Sequence, residues 1–195
     1  MTPTTPALDT FVSSVGTIVR HEHDPVMIVK QIEPLLGDLL RDASAIPPQF
    51  KRPDPNRYSQ YLLHRARDEA FSVVSVVWSP NQSAPIHDHG TWGVVGVLEN
   101  EETETRYRRL DDGSVAEYAK LEAVGTFVLR EGQTSVILPP HEIHRVENRS
   151  DRVSISIHVY GADIGSLTRH VYDPDTRHVR SFVSGYNVPE EAPGP

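Results

Sequence analysis

Pro85-Ile86-His87-Asp88-His89-Gly90-Thr91-Trp92-Gly93-Val94-Val95-Gly96-Val97-Leu98-Glu99 decides how the rest of the chain is read. It joins an H-x-H pair to an apolar run through a Gly-flanked turn. In extended backbone, residues i and i+2 point to the same side, so His87 and His89 converge on one point. The run Val94–Leu98 reads as a buried strand. A loop that feeds a strand with two imidazoles at its mouth is a common place for a site.

Outward from this stretch, short β-rich runs alternate with turns: Phe71–Trp78, Thr103–Arg109, Thr126–Leu129, Thr134–Leu138 and Val153–Tyr160. Asp111-Asp112-Gly113 and Glu131-Gly132 are turn signals between them. Many short strands at this spacing predict a sandwich or a small barrel. Before residue 50 the pattern differs. Leu8, Phe11, Val12, Val15, Ile18 and Val19 fall on one helix face. A second helix is expected after Asp24-Pro25, with Asp24 as N-cap and Pro25 at the first helical position. Pro34 is expected to kink or interrupt it. The expected organisation is a helical segment over 1–50, a β domain over 51–185 and a loosely held tail over 186–195.

Composition narrows the chemistry. The chain has 195 residues, with 37% hydrophobic and 24% charged, enough for one globular core. Lys plus Arg is 19 against 27 Asp plus Glu, a formal charge of −8. That balance opposes a nucleic-acid or anionic-membrane partner. With no Cys, disulfides, thiolate metal sites and cysteine nucleophiles are excluded. No apolar stretch reaches the ~18 residues of a membrane span, and Met1–Phe11 lacks signal-peptide character. A soluble cytoplasmic protein is the expectation.

Two further segments carry chemistry. Pro139-Pro140-His141-Glu142-Ile143-His144-Arg145-Val146-Glu147-Asn148 follows a predicted strand and brings a third imidazole. His141 sits in the Pro turn, whereas His144 begins the next strand, so His144 is preferred as partner to His87 and His89. Three neutral imidazoles with open positions suit Fe(II), Zn(II), Ni(II) or Cu(II). In Ser156-Ile157-His158-Val159-Tyr160 the period of two puts Ser156, His158 and Tyr160 on one face. That face is either turned to solvent or a hydrogen-bond relay.

These residues resemble the cupin superfamily, and within it the thiol dioxygenases related to cysteine dioxygenase. The second cupin motif, P-x-G-x-x-H-x-x-x-N, is matched by Pro139, His144 and Asn148, with His141 where Gly is usual. In the first motif the Glu ligand position falls at Gly93, and loss of that Glu is characteristic of thiol dioxygenases. The resemblance covers about Tyr58–Tyr160. It implies a mainly β, small-barrel or jelly-roll-like cupin with N-terminal α-helices. It also implies Fe(II) held by His87, His89 and His144, with Ser156, His158 and Tyr160 as an outer-sphere triad. A metal with three neutral ligands keeps its full charge and favours a thiolate.

Two departures bear on substrate. With no Cys, Tyr160 is not crosslinked as in animal-type cysteine dioxygenase. In Tyr58-Ser59-Gln60-Tyr61, Gln60 stands where that enzyme has the carboxylate-binding Arg. The chain resembles the bacterial Gln-type branch, which is similar to 3-mercaptopropionate dioxygenase, and Arg169 sits where that branch's substrate Arg is expected. The expected substrates are O2 and a small mercapto-carboxylate, with 3-mercaptopropionate first. Cysteine or another thiol acid such as mercaptosuccinate is the alternative within the same chemistry. A non-catalytic ligand-binding cupin is the alternative outside it.

Overall fold

The computed structural model describes residues 4–189. Helix α1 spans Pro6–His21 and helix α2 spans Pro25–Leu39. Thr5 Oγ1 accepts from Leu8 N at 3.2 Å, and Asp24 Oδ1 accepts from Val26 N at 2.9 Å, so both starts are capped by side chains. Of the two outcomes expected at Pro34, a kink or an interruption, the interruption does not occur: α2 runs through it. The helix buries Ile28, Val29, Ile32, Leu36 and Leu39, and that tertiary contact outweighs one missing backbone donor. The Pro-rich connection folds into two 3-10 turns, Ala43–Ala45 and Pro48–Lys51. No helix among the described residues is long and apolar enough to cross a membrane.

The strands are β1 (Ser59–Arg65), β2 (Ser72–Trp78), β3 (Ile86–His87), β4 (Gly93–Glu99), β5 (Glu101–Arg109), β6 (Leu121–Arg130), β7 (Thr134–Ile137), β8 (His144–Glu147), β9 (Ser154–Tyr160), β10 (Arg169–Tyr172) and β11 (Val179–Phe182). They form a five-stranded sheet, β1-β2-β9-β4-β7, and a six-stranded sheet, β11-β10-β3-β8-β5-β6. Every named pair is antiparallel. This is the mainly β cupin architecture with two outer helices, but the two sheets face each other without closing into one continuous barrel. Gly113 and Gly132 take φ of +74° and +80° in the two turns read from sequence.

The core has distinct layers. One cluster joins the helices to the outer face of the five-stranded sheet through Phe11, Ile32 and Leu36 against Val73, Val94 and Ile157. A second lies between the sheets, with Val74, Val76, Trp78, Val95, Val146 and Tyr160. Strand β6 is longer than the predicted Thr126–Leu129 and largely exposed on both faces, because it is a sheet edge. Tyr186 and Asn187, at the start of the expected loose tail, are docked: Gly165 N donates to Tyr186 Oη at 2.9 Å and Gln60 N to Asn187 Oδ1 at 2.8 Å. The rest of that tail beyond 189 lies outside the described residues.

Candidate metal centre

The register of β3, β8 and β5 assembles the three imidazoles. His87 stands opposite His144 across the β3–β8 pair. His89 follows two residues later. The intervening Asp88 turns away: it accepts from His170 N at 2.8 Å, His170 Nδ1 at 2.9 Å and Tyr172 Oη at 2.6 Å. Anchoring Asp88 to β10 fixes the direction of the two histidines that flank it.

The ring centroids of His87, His89 and His144 are 4.8–4.9 Å apart, a nearly equilateral set. One nitrogen from each lies within 4.8 Å of the others, an arrangement that can hold a metal ion. Their partners leave the right atoms free. His87 Nδ1 donates to Pro85 O at 2.9 Å, and His144 Nδ1 donates to Glu104 Oε1 at 2.9 Å. Each of those rings therefore keeps an Nε2 lone pair. His89 is fully buried, and neither of its ring nitrogens has a hydrogen-bond partner among the described residues. Such a buried, unpartnered imidazole is costly unless it serves as a ligand. Burial, then the neighbouring His144, holds His87 and His89 far below the usual imidazole range, so both are neutral donors. The donor set fits a divalent transition metal. His141 is exposed in the turn and stands outside the trio.

The carboxylate Glu104, which sequence reading did not single out, is the outer partner of His144. Burial works to raise its pKa, but the hydrogen bond from His144 and the charge and hydrogen bond of Arg106 win and bring it below the usual carboxylate range. Its signal was the polar alternation of Glu102, Glu104 and Arg106 within a strand.

Gly93 explains the missing carboxylate ligand. A Cβ there would meet Tyr160 Cδ1 at 2.9 Å and Val159 O at 3.3 Å. The Tyr160 ring fills that space and stacks on His89, with centroids 5.3 Å apart at 18°. The structure thus brings the Tyr160 ring against the histidine trio. His158 Nδ1 is 2.7 Å from Tyr160 Oη, and Ser156 Oγ is 2.7 Å from His158 Nε2. All three residues are buried, which excludes the reading of this face as solvated. Burial lowers His158 to about 3, so its ring is neutral, and burial raises Tyr160, so its hydroxyl keeps its proton.

Arg169 is only 4% exposed, and no carboxylate forms an ion pair with it among the described residues. Its Nη2 donates to Ser184 Oγ at 2.7 Å, its guanidinium lies 4.6 Å over the Phe182 ring, and its Nε has no partner among the described residues. Its charge acts on His87, His89 and Tyr160, which sets it beside the centre. Gln60 is less direct. Its amide donates to Ser184 Oγ at 3.2 Å and Gly185 O at 3.1 Å, so it reaches Arg169 through Ser184. Ser184 and Phe182 lie in a segment without motif character, and sequence alone gave no sign of them.

The family model for cysteine dioxygenase type I matches residues 18–175. Among solved structures, the chain is similar to a conserved protein with a double-stranded β-helix domain from Klebsiella pneumoniae subsp. pneumoniae (16% identity, 59% of this chain and 85% of that chain, TM-score 0.43). It is also similar to oxalate oxidase in complex with the substrate analogue glycolate (22%, 62% and 60%, 0.46). A third is an RmlC-like cupin protein from Desulfovibrio desulfuricans (22%, 56% and 88%, 0.39).

Proposed function

This chain belongs to the cysteine dioxygenase type I family, and we propose that it is an Fe(II) thiol dioxygenase whose preferred substrate is a small mercapto-carboxylate, 3-mercaptopropionate first. The overall reaction adds O2 to a thiol and gives a sulfinic acid. In this reading His87, His89 and His144 hold the iron, which when bound supplies the redox chemistry and the open positions for thiolate and O2.

The chain's own groups do the rest. Arg169 carries the substrate reading: a buried guanidinium without an ion-pair partner among the described residues, next to the histidine trio, is a receptor for a carboxylate. Ser184 and the Phe182 ring hold its plane, and Gln60 steadies Ser184. Tyr160 keeps its hydroxyl hydrogen and offers it, or its lone pair, to the substrate beside the metal. His158 and Ser156 fix that hydroxyl. The cluster between the sheets, with Val95, Val146 and Ile137, keeps bulk water from the floor of the chamber. Cysteine would bring an ammonium as well, and the carboxylates beside the histidines are already committed, Asp88 to His170 and Tyr172 and Glu104 to His144 and Arg106.

Oxygen uptake by iron-reconstituted protein tests this with 3-mercaptopropionate, cysteine, mercaptosuccinate and cysteamine. The expected order puts kcat/KM for 3-mercaptopropionate above cysteine. Arg169→Ala should cost about 2–4 kcal/mol in kcat/KM for the carboxylate thiol and much less for cysteamine. Equal losses with both thiols and full iron would reassign Arg169 to the fold. No thiol-dependent uptake at all would favour the ligand-binding cupin.

A further inference from the structure

One buried ionisable group has no part in the reaction just described. Glu102 on β5 points between the sheets and is 3% exposed. Ser154 Oγ donates to its Oε1 at 3.5 Å. Ser156, the next inward position of β9, and the indole of Trp78, whose Nε1 has no hydrogen-bond partner among the described residues, also act on this carboxyl. Ser156 is the same residue that meets His158 Nε2 at 2.7 Å. The hydrogen bonds run from Tyr160 through His158 to Ser156, and Glu102 is the buried ionisable group beyond that end.

We propose that Glu102 is a positioning residue that sets the direction of this relay, by donating to or accepting from the Ser156 hydroxyl. The two arrangements differ by one proton. With Glu102 neutral, its O–H donates to Ser156, Ser156 donates to His158 Nε2, His158 Nδ1–H donates to Tyr160 Oη, and the Tyr160 hydrogen faces the metal chamber. With Glu102 ionised, Ser156 donates to the carboxylate, His158 Nε2–H donates to Ser156, and the Tyr160 hydrogen turns inward to Nδ1. His158 stays uncharged in both, in keeping with its burial. Only its tautomer changes.

The surroundings permit both states. Burial raises Glu102 to about 7, opposed by the neighbouring Ser156, Trp78 and Ser154. On its own strand the facing charge is Glu104. From β2 it meets Trp78, from β9 Ser154 and Ser156, and across a small cavity β8 presents His144. Strands β4 and β6 add Val95, Val97 and Leu129, which carry no charge. Among the described residues, no cation pins Glu102 in one form.

The tautomer measurement is independent of the dioxygenase reading; only the kinetic one rests on it. Side-chain 15N–1H correlation spectra of the full-length, metal-free chain report the His158 tautomer directly. The wild type should show the Nδ1–H form below about pH 7 and the Nε2–H form above it. Glu102→Gln should hold one form throughout, and so should Ser156→Ala, which cuts the chain while leaving Glu102 in place. A single wild-type tautomer on both sides of neutrality, or a switch that survives in either variant, overturns the proposal. If Glu102→Gln fails to fold, Ser156→Ala carries the same test. With iron and 3-mercaptopropionate, the ratio of wild-type to Glu102→Gln kcat should change several-fold across neutrality while the KM ratio stays constant. A constant kcat ratio also overturns it.

Discussion

On one side of β9, Ile155, Ile157 and Val159 pack against the helices at 3% exposure or less; on the other, Ser154, Ser156, His158 and Tyr160 line the space between the sheets at 5% or less. The outer side is close-packed: a Cβ on Gly96, next door in β4, would meet Leu40 Cδ1 at 2.5 Å. The inner side is a row of hydrogen bonds flanked by Val74 and Val95 on either side of His158. Burial is equal on the two faces, so its energetic meaning differs. Apolar burial stabilises the fold, whereas polar burial is tolerated because each group finds a partner or awaits one.

That contrast can be broken from either side. The largest effect is expected on the inner face, at the metal centre. Replacing His144 with Ala should abolish bound iron and turnover, since two ligands lack the affinity and geometry of three. His141→Ala should retain both. Metal analysis with oxygen uptake decides, and the reverse outcome would make His141 the third ligand.

On the outer face the expected loss is in stability. Ile157→Ala should cost about 2–5 kcal/mol in denaturant unfolding, as for other fully buried branched side chains, with kcat/KM unchanged in the fraction that stays folded. A drop in kcat/KM there would mean that the two faces are mechanically coupled through the strand.

Tyr160→Phe keeps the ring against His89 and removes one hydroxyl. Iron should be retained, and kcat should fall by about 1–3 kcal/mol equivalent. An unchanged rate with several thiols would reduce the relay to a structural hydrogen-bond row.

The smallest expected effect is the pH dependence of stability at Glu102. Its carboxyl goes from an ordinary 4.5 to about 7 on burial. The folded chain thus keeps a proton that the unfolded chain releases, so this group's contribution is full below 4.5 and falls as pH rises toward about 7. Glu102→Gln should gain stability relative to wild type across that window, by no more than about 3 kcal/mol. Chemical denaturation at several pH values measures it, and the opposite trend would refute the assignment.

Where the pattern was strong, the fold was legible. Apolar spacing marked both helices, Asp24 marked a start, and the turns at Gly113 and Gly132 were placed by residues that tolerate positive φ. Strands β1, β10 and β11 were not read, because Gln60, His64, His170 and Arg180 interrupt their apolar alternation. Strand β3 is two residues long and exists only through its neighbours. The interruption expected as one outcome at Pro34 does not occur, because propensity is local, whereas the buried face of α2 is set by contact with the sheet.

The sequence by itself determined the candidate donors, since H-x-H and S-x-H-x-Y on extended backbone each commit alternate side chains to one side. It could not say which side was buried, because a period of two looks the same whether the polar face meets water or another sheet. Only the tertiary structure decided that: helices α1 and α2 cover the outer face of the five-stranded sheet, the six-stranded sheet covers the inner one, and Ser156, His158 and Tyr160 are thereby enclosed beside His87, His89 and His144. It likewise brought in Glu102, Glu104 and Ser184, whose contacts lie 15 to 52 residues away along the chain, a separation that packing closes and local pattern does not record.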